Sequence, residues 1–198
     1  MKKDEELKVV KKEYWLIFLI AFLMGILGQT IIPWLSLKLN ISWFNFRFLI
    51  SNIDIYPFIV MLLITYKNTN QKKVFIRIFI YFLGLCLGYY GYTSATHVYH
   101  AIEQSNTAYL LNILSDLNDI FGYLVIGNLA GIWGYLMLKY KNKKYIYYLM
   151  PLPFVLLAMY VVYSNVVHNP TNIFMIIVDV LGLIGTILLS FGKNNLKP

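Results

Sequence analysis

The sequence predicts an all-α integral membrane protein: a polytopic bundle of six transmembrane helices with both termini in the cytoplasm. Its 198 residues are 59% hydrophobic and 13% charged, with a mean hydropathy of +0.63, whereas soluble domains average about 25% charged residues. The chain divides into six apolar segments of spanning length. Fifteen of its 17 basic residues lie in the N-terminal tail, the second and fourth loops and the C-terminal tail. The positive-inside rule therefore places those segments in the cytoplasm.

The six spans use about 120 residues, which leaves no room for a soluble domain. We expect a charged cytoplasmic tail at 1–14, one membrane domain at 15–192 and a short cytoplasmic tail at 193–198. The tail at 1–14 is predicted to be a short surface helix. The first apolar stretch is too long for a signal-peptide core and lacks a small-x-small cleavage site, so it predicts a retained helix.

Span 1 is predicted at Trp15–Leu37, running outward, with span 2 returning to Tyr66. The segment from Pro57 to Tyr66 is too short to cross about 30 Å at 1.5 Å per residue. Span 2 must therefore include residues before Pro57. Either it is kinked at this proline, or its outer half is a re-entrant or interfacial piece.

Span 3 is predicted at Val74–Tyr92 and span 4 at Asp119–Leu138. The external stretch between them, Thr93–Leu117, contains no Lys or Arg. Its portion Tyr109–Leu117 is amphipathic and predicts a short helix lying on the outer surface. Asp119 is well placed to cap span 4.

Span 5 is predicted at Tyr145–Val167, with Pro151 and Pro153 near its inner end. Span 6 is predicted from Ile173 to Gly192, running inward.

Spans 3 and 4 share a pattern of small residues that includes a GxxxG motif in each. The glycines are Gly84, Gly88 and Gly91 in span 3 and Gly127, Gly131 and Gly134 in span 4. Small residues at this spacing let helix backbones approach closely in lipid. The pattern favours tight packing of these helices within the bundle; a homodimer face and an inverted structural repeat are the alternatives.

Polar residues inside the predicted spans mark the candidate pocket. By rise per residue, Gln29, Asn52, Asp54 and Asp179 all lie roughly 10–12 Å below the outer surface. Asp119 and Asn128 of span 4 complete the set. Ionisable residues at such depth are costly and usually functional, so the pattern predicts a pocket open to the outside.

Each of these residues also has a simpler interpretation. Asp54 precedes Pro57 by three residues and could N-cap a short helix. Gln29 and Asn128 could be interhelical hydrogen-bond partners. Asp179 lies in the continuous apolar run from Ile173 to Leu189 and needs a partner or a proton. Of these residues, it is the one for which a purely structural role is the weakest explanation.

All three histidines are predicted to be external. His97, His100 and Glu103 are spaced so that they share a broad helix face, and His168 lies in the other external loop. Two or three histidines with a carboxylate form a possible Zn²⁺ site. The alternative is a set of ordinary interfacial histidines, and no other cofactor is predicted.

Several function classes are excluded by missing motifs. There is no GxSxG, HExxH, P-loop or CxxC sequence. Cys86 is the only cysteine, which excludes an intramolecular disulfide. The net charge of +8 sets topology and meets anionic headgroups at cytoplasmic span ends, so it does not indicate nucleic-acid binding. Richness in Lys, Asn, Ile and Tyr hints at a bacterial, Gram-positive origin.

Three functions are compatible with these features. The first is a plasma-membrane transport protein, or a transporter subunit, that captures a small solute from outside. The second is a non-catalytic membrane partner, such as an immunity or accessory protein, that acts through helix contacts with another protein. The third is a metal-dependent hydrolase or transferase at the outer leaflet. In overall plan the chain is similar to the substrate-binding membrane subunits of vitamin-uptake transporters, although their alanine-rich first helix is absent.

Overall fold

The computed structural model describes residues 2–30, 55–105, 108–168 and 173–191, which form helices joined by short turns. The helices are α1 (Lys2–Gln29), α2 (Ile55–Tyr66), α3 (Gln71–Glu103), α4 (Ala108–Lys139), α5 (Lys144–Leu149), α6 (Leu152–His168) and α7 (Ile173–Phe191). No strand occurs within these ranges. The predicted all-α class is confirmed.

Two helices are long and apolar enough to cross a membrane. They are α3 over its full length and the Leu111–Lys139 part of α4. Shorter apolar stretches occur in α2, α6 and α7. The part of the chain that the structure describes thus meets the criteria for two of the six expected spans.

Helices α1 and α3 run parallel to each other. Near their starts Glu13 forms an ion pair with Arg77, and farther along both helices Phe22 lies against Gly88. Helices α3 and α4 run antiparallel, because the end of α3 is hydrogen-bonded to the beginning of α4 through Ser94 and Asp116. These directions agree with spans 1 and 3 running outward and span 4 running inward.

Helices α2 and α7 also run parallel to each other. The Tyr56 hydroxyl donates to the Val178 carbonyl at 2.8 Å, and farther along Ile59 approaches Gly185. The predicted spans 2 and 6 share a direction, so the observed pairing agrees with the expected alternation.

The core is centred on α3. Val74, Ile78 and Phe82 of this helix are fully buried against residues of α2 and α4, including Met61 and Met137. On their faces away from this core, helices α1, α4, α6 and α7 carry many exposed large apolar side chains. A helix with an apolar exposed face is expected where the surrounding solvent is lipid.

The predicted external helix at Tyr109–Leu117 is not a separate element. These residues form the N-terminal turns of one continuous helix, α4, and α3 extends past the predicted Tyr92 to Glu103. No glycine or proline interrupts the chain between Ala108 and Asp119, so nothing breaks the helix there. Asp119 therefore lies well inside α4 and does not cap it.

The predicted span 5 is divided at Pro151. Helix α5 ends at Leu149 and α6 begins at Leu152, because a proline ring removes a backbone donor and clashes with the preceding turn. The break leaves the Met150 carbonyl without its usual helical partner. The Trp133 indole N–H of α4 donates to this carbonyl at 2.9 Å, which ties the break to the bundle.

Helix α1 joins the predicted tail helix and the first part of span 1 into one element. The rest of span 1 and the outer part of span 2, which is predicted to be kinked or re-entrant, lie outside the described part of the chain. Pro57 itself occupies the first turn of α2, where its missing N–H is tolerated.

Candidate functional site

The span 3 glycines bring the backbones of α1 and α3 together. A Cβ added at Gly84 would lie 2.6 Å from the Phe18 carbonyl oxygen, and one added at Gly88 would overlap the Phe22 carbonyl oxygen. Both glycines are buried. Their surface is therefore occupied by α1 of the same chain.

The span 4 glycines serve a different purpose. Side chains of α3 fill the space above them: Phe82 lies over Gly127, Phe75 over Gly131 and Ile78 over Gly134. The two predicted motifs do not pack on each other. Gly91 differs from the rest, since a Cβ at this position would meet nothing within 4 Å among the described residues.

The partner surface on α1 was missed by the sequence reasoning. A Cβ added at Gly25 would lie 2.6 Å from the Tyr89 backbone nitrogen, and Ala21 sits against Gly84. The signal was present as the small-xxx-small pattern Ala21-x-x-x-Gly25.

Helix α7 presents a buried polar face to the rest of the bundle. Asp179, Thr186 and Ser190 have relative exposures of 3%, 1% and 1%. They share one face with Gly182, which is also buried. The Thr186 hydroxyl donates to the Gly182 carbonyl at 2.8 Å. The Ser190 hydroxyl is buried and has no hydrogen-bond partner within the described ranges.

Of the predicted pocket residues, only Asp179 is shown buried in the bundle. Asp119 and Asn128 are exposed on α4, and the Asn128 amide donates to the Leu124 carbonyl of its own helix at 2.9 Å. Gln29 is the last residue of α1, but its side chain is not among the parts that the structure describes. Asn52 and Asp54 also lie outside the described residues.

A polar cluster joins the C-terminal part of α3 to the N-terminal part of α4. The Ser94 hydroxyl donates to Asp116 Oδ2 at 2.9 Å, and His97 Nδ1 lies 3.1 Å from the same oxygen. Asp116 is 7% exposed. With its proton on Nδ1, His97 donates the second hydrogen bond, so one buried carboxylate holds two donors of the neighbouring helix.

The predicted metal residues do not converge in the structure. His97 is engaged with Asp116, whereas His100 Nδ1 lies 3.6 Å from Glu103 Oε2, beyond hydrogen-bond distance. The His168 side chain is outside the description. Within the described ranges, no group of three or more His, Cys, Asp or Glu residues is placed to hold a metal ion.

No protein-family model, curated protein or solved structure matches this chain. A function must therefore be argued from the chain's own residues and their geometry.

Proposed function

We propose that this protein is a six-span transport protein of the plasma membrane, or a transporter subunit, that captures a small solute from the external side. The observation that carries the proposal is the burial of Asp179 in the apolar helix α7. A carboxyl group inside a membrane segment is costly, and such residues commonly mark the path of a substrate or ion.

The arrangement of the helices supports the membrane topology. The parallel pairs α1–α3 and α2–α7 and the antiparallel pair α3–α4 have the relative directions that alternating spans require. The basic second loop lies at one end of the bundle, where Lys67, Lys73 and Arg77 line a cavity beside Glu13 of α1. Tyr148, close to the basic fourth loop, stacks near Phe191 at the end of α7, with ring centroids 6.4 Å apart. This end is the cytoplasmic end under the positive-inside rule.

The buried face of α7 supports a role in solute passage. Asp179, Thr186 and Ser190 succeed one another from the outer toward the inner half of the helix. Helix α2 contacts α7 next to this face, since the Tyr56 hydroxyl donates to the carbonyl of Val178, one residue before Asp179. Tyr56 follows Asp54 by two residues in the sequence, so we propose that Asp54 contributes to the same pocket.

We expect Asp179→Asn to weaken solute binding by roughly tenfold or more, since it removes the charge on which a polar or cationic ligand depends. The measurement is a thermal-shift titration of detergent-purified protein against amino acids, vitamins, nucleosides and cations. A ligand at a hundred times its Kd raises stability by about 2.7 kcal/mol. The control is Asp119→Asn, which makes the same change on the exposed face of α4.

A saturable stabilisation that is lost only in Asp179→Asn supports the proposal. An unchanged response in that variant, or no response of the wild-type protein to the whole panel, would contradict it. Gel filtration of each variant shows whether the loss reflects binding or folding.

A further inference from the structure

The basic end of the bundle contains a cavity of about 530 Å³. It lies where the first turns of α3, the end of α2 and the early part of α1 meet. Three cationic side chains line it, from Lys67, Lys73 and Arg77, together with the single carboxylate of Glu13. The lining therefore carries an excess of positive charge.

Within the part of the chain that the structure describes, the positive charges of this cavity are only partly balanced. Glu13 pairs with Arg77 through one terminal nitrogen of the guanidinium. The Arg77 Nε–H is buried and has no hydrogen-bond partner among the described residues. Neither Lys67 nor Lys73 forms an ion pair within those residues. Two lysines and one guanidinium N–H thus line this cavity without an anionic partner among the described residues, and its one carboxylate, Glu13, is engaged with Arg77.

The wall of the cavity that leads toward the middle of the bundle is apolar. It is formed by Ile17 of α1 and by Val60, Leu63 and Ile64 of α2. The start of α3 adds no free backbone donor at Lys73, because the Asn70 side chain accepts from that N–H at 3.1 Å. A ligand that fits must therefore combine an anionic group for the side chains with an apolar portion for this wall.

We infer that this cavity binds the phosphate group of an anionic phospholipid from the cytoplasmic leaflet, with the start of an acyl chain against the apolar wall. Basic pockets between transmembrane helices on this side of the membrane recognise phosphate headgroups. Free inorganic phosphate shares the anionic chemistry but cannot use the apolar wall. The inference rests on the proposed membrane topology and is independent of solute capture at Asp179.

The test is native mass spectrometry of the detergent-purified full chain, titrated with phosphatidylglycerol or with phosphatidylcholine. The double variant Lys67→Gln/Lys73→Gln removes the two unpaired cavity lysines. Its matched control, Lys72→Gln/Lys141→Gln, removes two exposed lysines from the same end that do not line the cavity. Both variants keep the Glu13–Arg77 pair, and both lower the net charge equally.

We expect the wild-type protein and the control to prefer phosphatidylglycerol, and the cavity variant to lose roughly 25-fold in affinity for it, about fivefold for each lysine. An equal loss in both variants would show general attraction to basic surfaces and overturn the inference. So would no loss in the cavity variant. If inorganic phosphate at the same concentration displaces the lipid, the inference of a lipid ligand is overturned and free phosphate is the ligand of the cavity.

Discussion

Gly88→Ala is expected to prevent stable packing of the bundle, whereas Gly91→Ala, three residues along the same helix, is expected to be tolerated. A Cβ at Gly88 overlaps the Phe22 carbonyl oxygen and approaches the Phe22 backbone carbon to 2.9 Å. Backbone atoms cannot rotate away, so α1 must move off α3. At Gly91 the added Cβ meets nothing within 4 Å among the described residues.

The expected loss for Gly88→Ala is about 3 kcal/mol or more, at the upper end of overpacking effects. In lipid the association of helices depends on such close approach and not on burial from water. Gly91→Ala should leave stability unchanged or raise it by up to about 1 kcal/mol, the difference in helix propensity. Thermal unfolding and monodispersity in detergent measure both variants. Equal stability of the two would contradict the observed α1–α3 contact.

Asp116→Ala is expected to lower stability by about 2 kcal/mol and to loosen the ends of α3 and α4. The substitution removes the acceptor of Ser94 and His97 at once, and hydrogen bonds to a charged acceptor contribute about 1.5–3 kcal/mol each before the solvation of the released donors. Asp119→Ala is the control, since Asp119 is exposed on the same helix.

Hydrogen exchange of the backbone amides distinguishes this effect from global destabilisation. We expect exchange in Asp116→Ala to accelerate first at 93–103 and 108–118, while the Asp119→Ala variant behaves like the wild-type protein. Equal exchange in the two variants at these positions would show that the cluster does not hold the helix ends together.

The glycine pattern shows how far the sequence predicts packing. Small residues at fourfold spacing correctly predict that backbones approach closely at Gly84 and Gly88. They do not predict the partner, because a small-residue face is compatible with any helix that offers a complementary surface. The partner depends on Ala21 and Gly25 of α1 and on the parallel direction of the two helices, which are properties of the assembled bundle.

The helix ends illustrate a second limit. Hydropathy locates the part of a helix that lies in lipid, so the predicted spans 3 and 4 stop where polar residues begin. The observed α3 and α4 continue beyond the apolar region, since the polar residues there still favour helix and Asp116 joins the two ends. The part of a helix that lies in the membrane and the full length of that helix are different properties, and hydropathy predicts only the first.

The candidate site was predictable from the sequence where a single charged residue interrupts an apolar segment. Asp179 is a carboxylate in an otherwise apolar run, and its burial follows from the face of α7 that it shares with Thr186. The Asp116 cluster was not predictable, because its partners are 22 and 19 residues distant in the sequence and meet only through an antiparallel hairpin.

Cysteine accessibility in intact cells tests the membrane topology, on which every proposal here depends. Cys86 is the only native cysteine, so a Cys86→Ser background carries single new cysteines at Ile102 or Asn142, both exposed and at opposite ends of the helical hairpin. We expect a membrane-impermeant maleimide to label Ile102→Cys from outside, and Asn142→Cys only after the cells are permeabilised. Labelling of both positions from the same side, or of Asn142→Cys alone in intact cells, would contradict the topology.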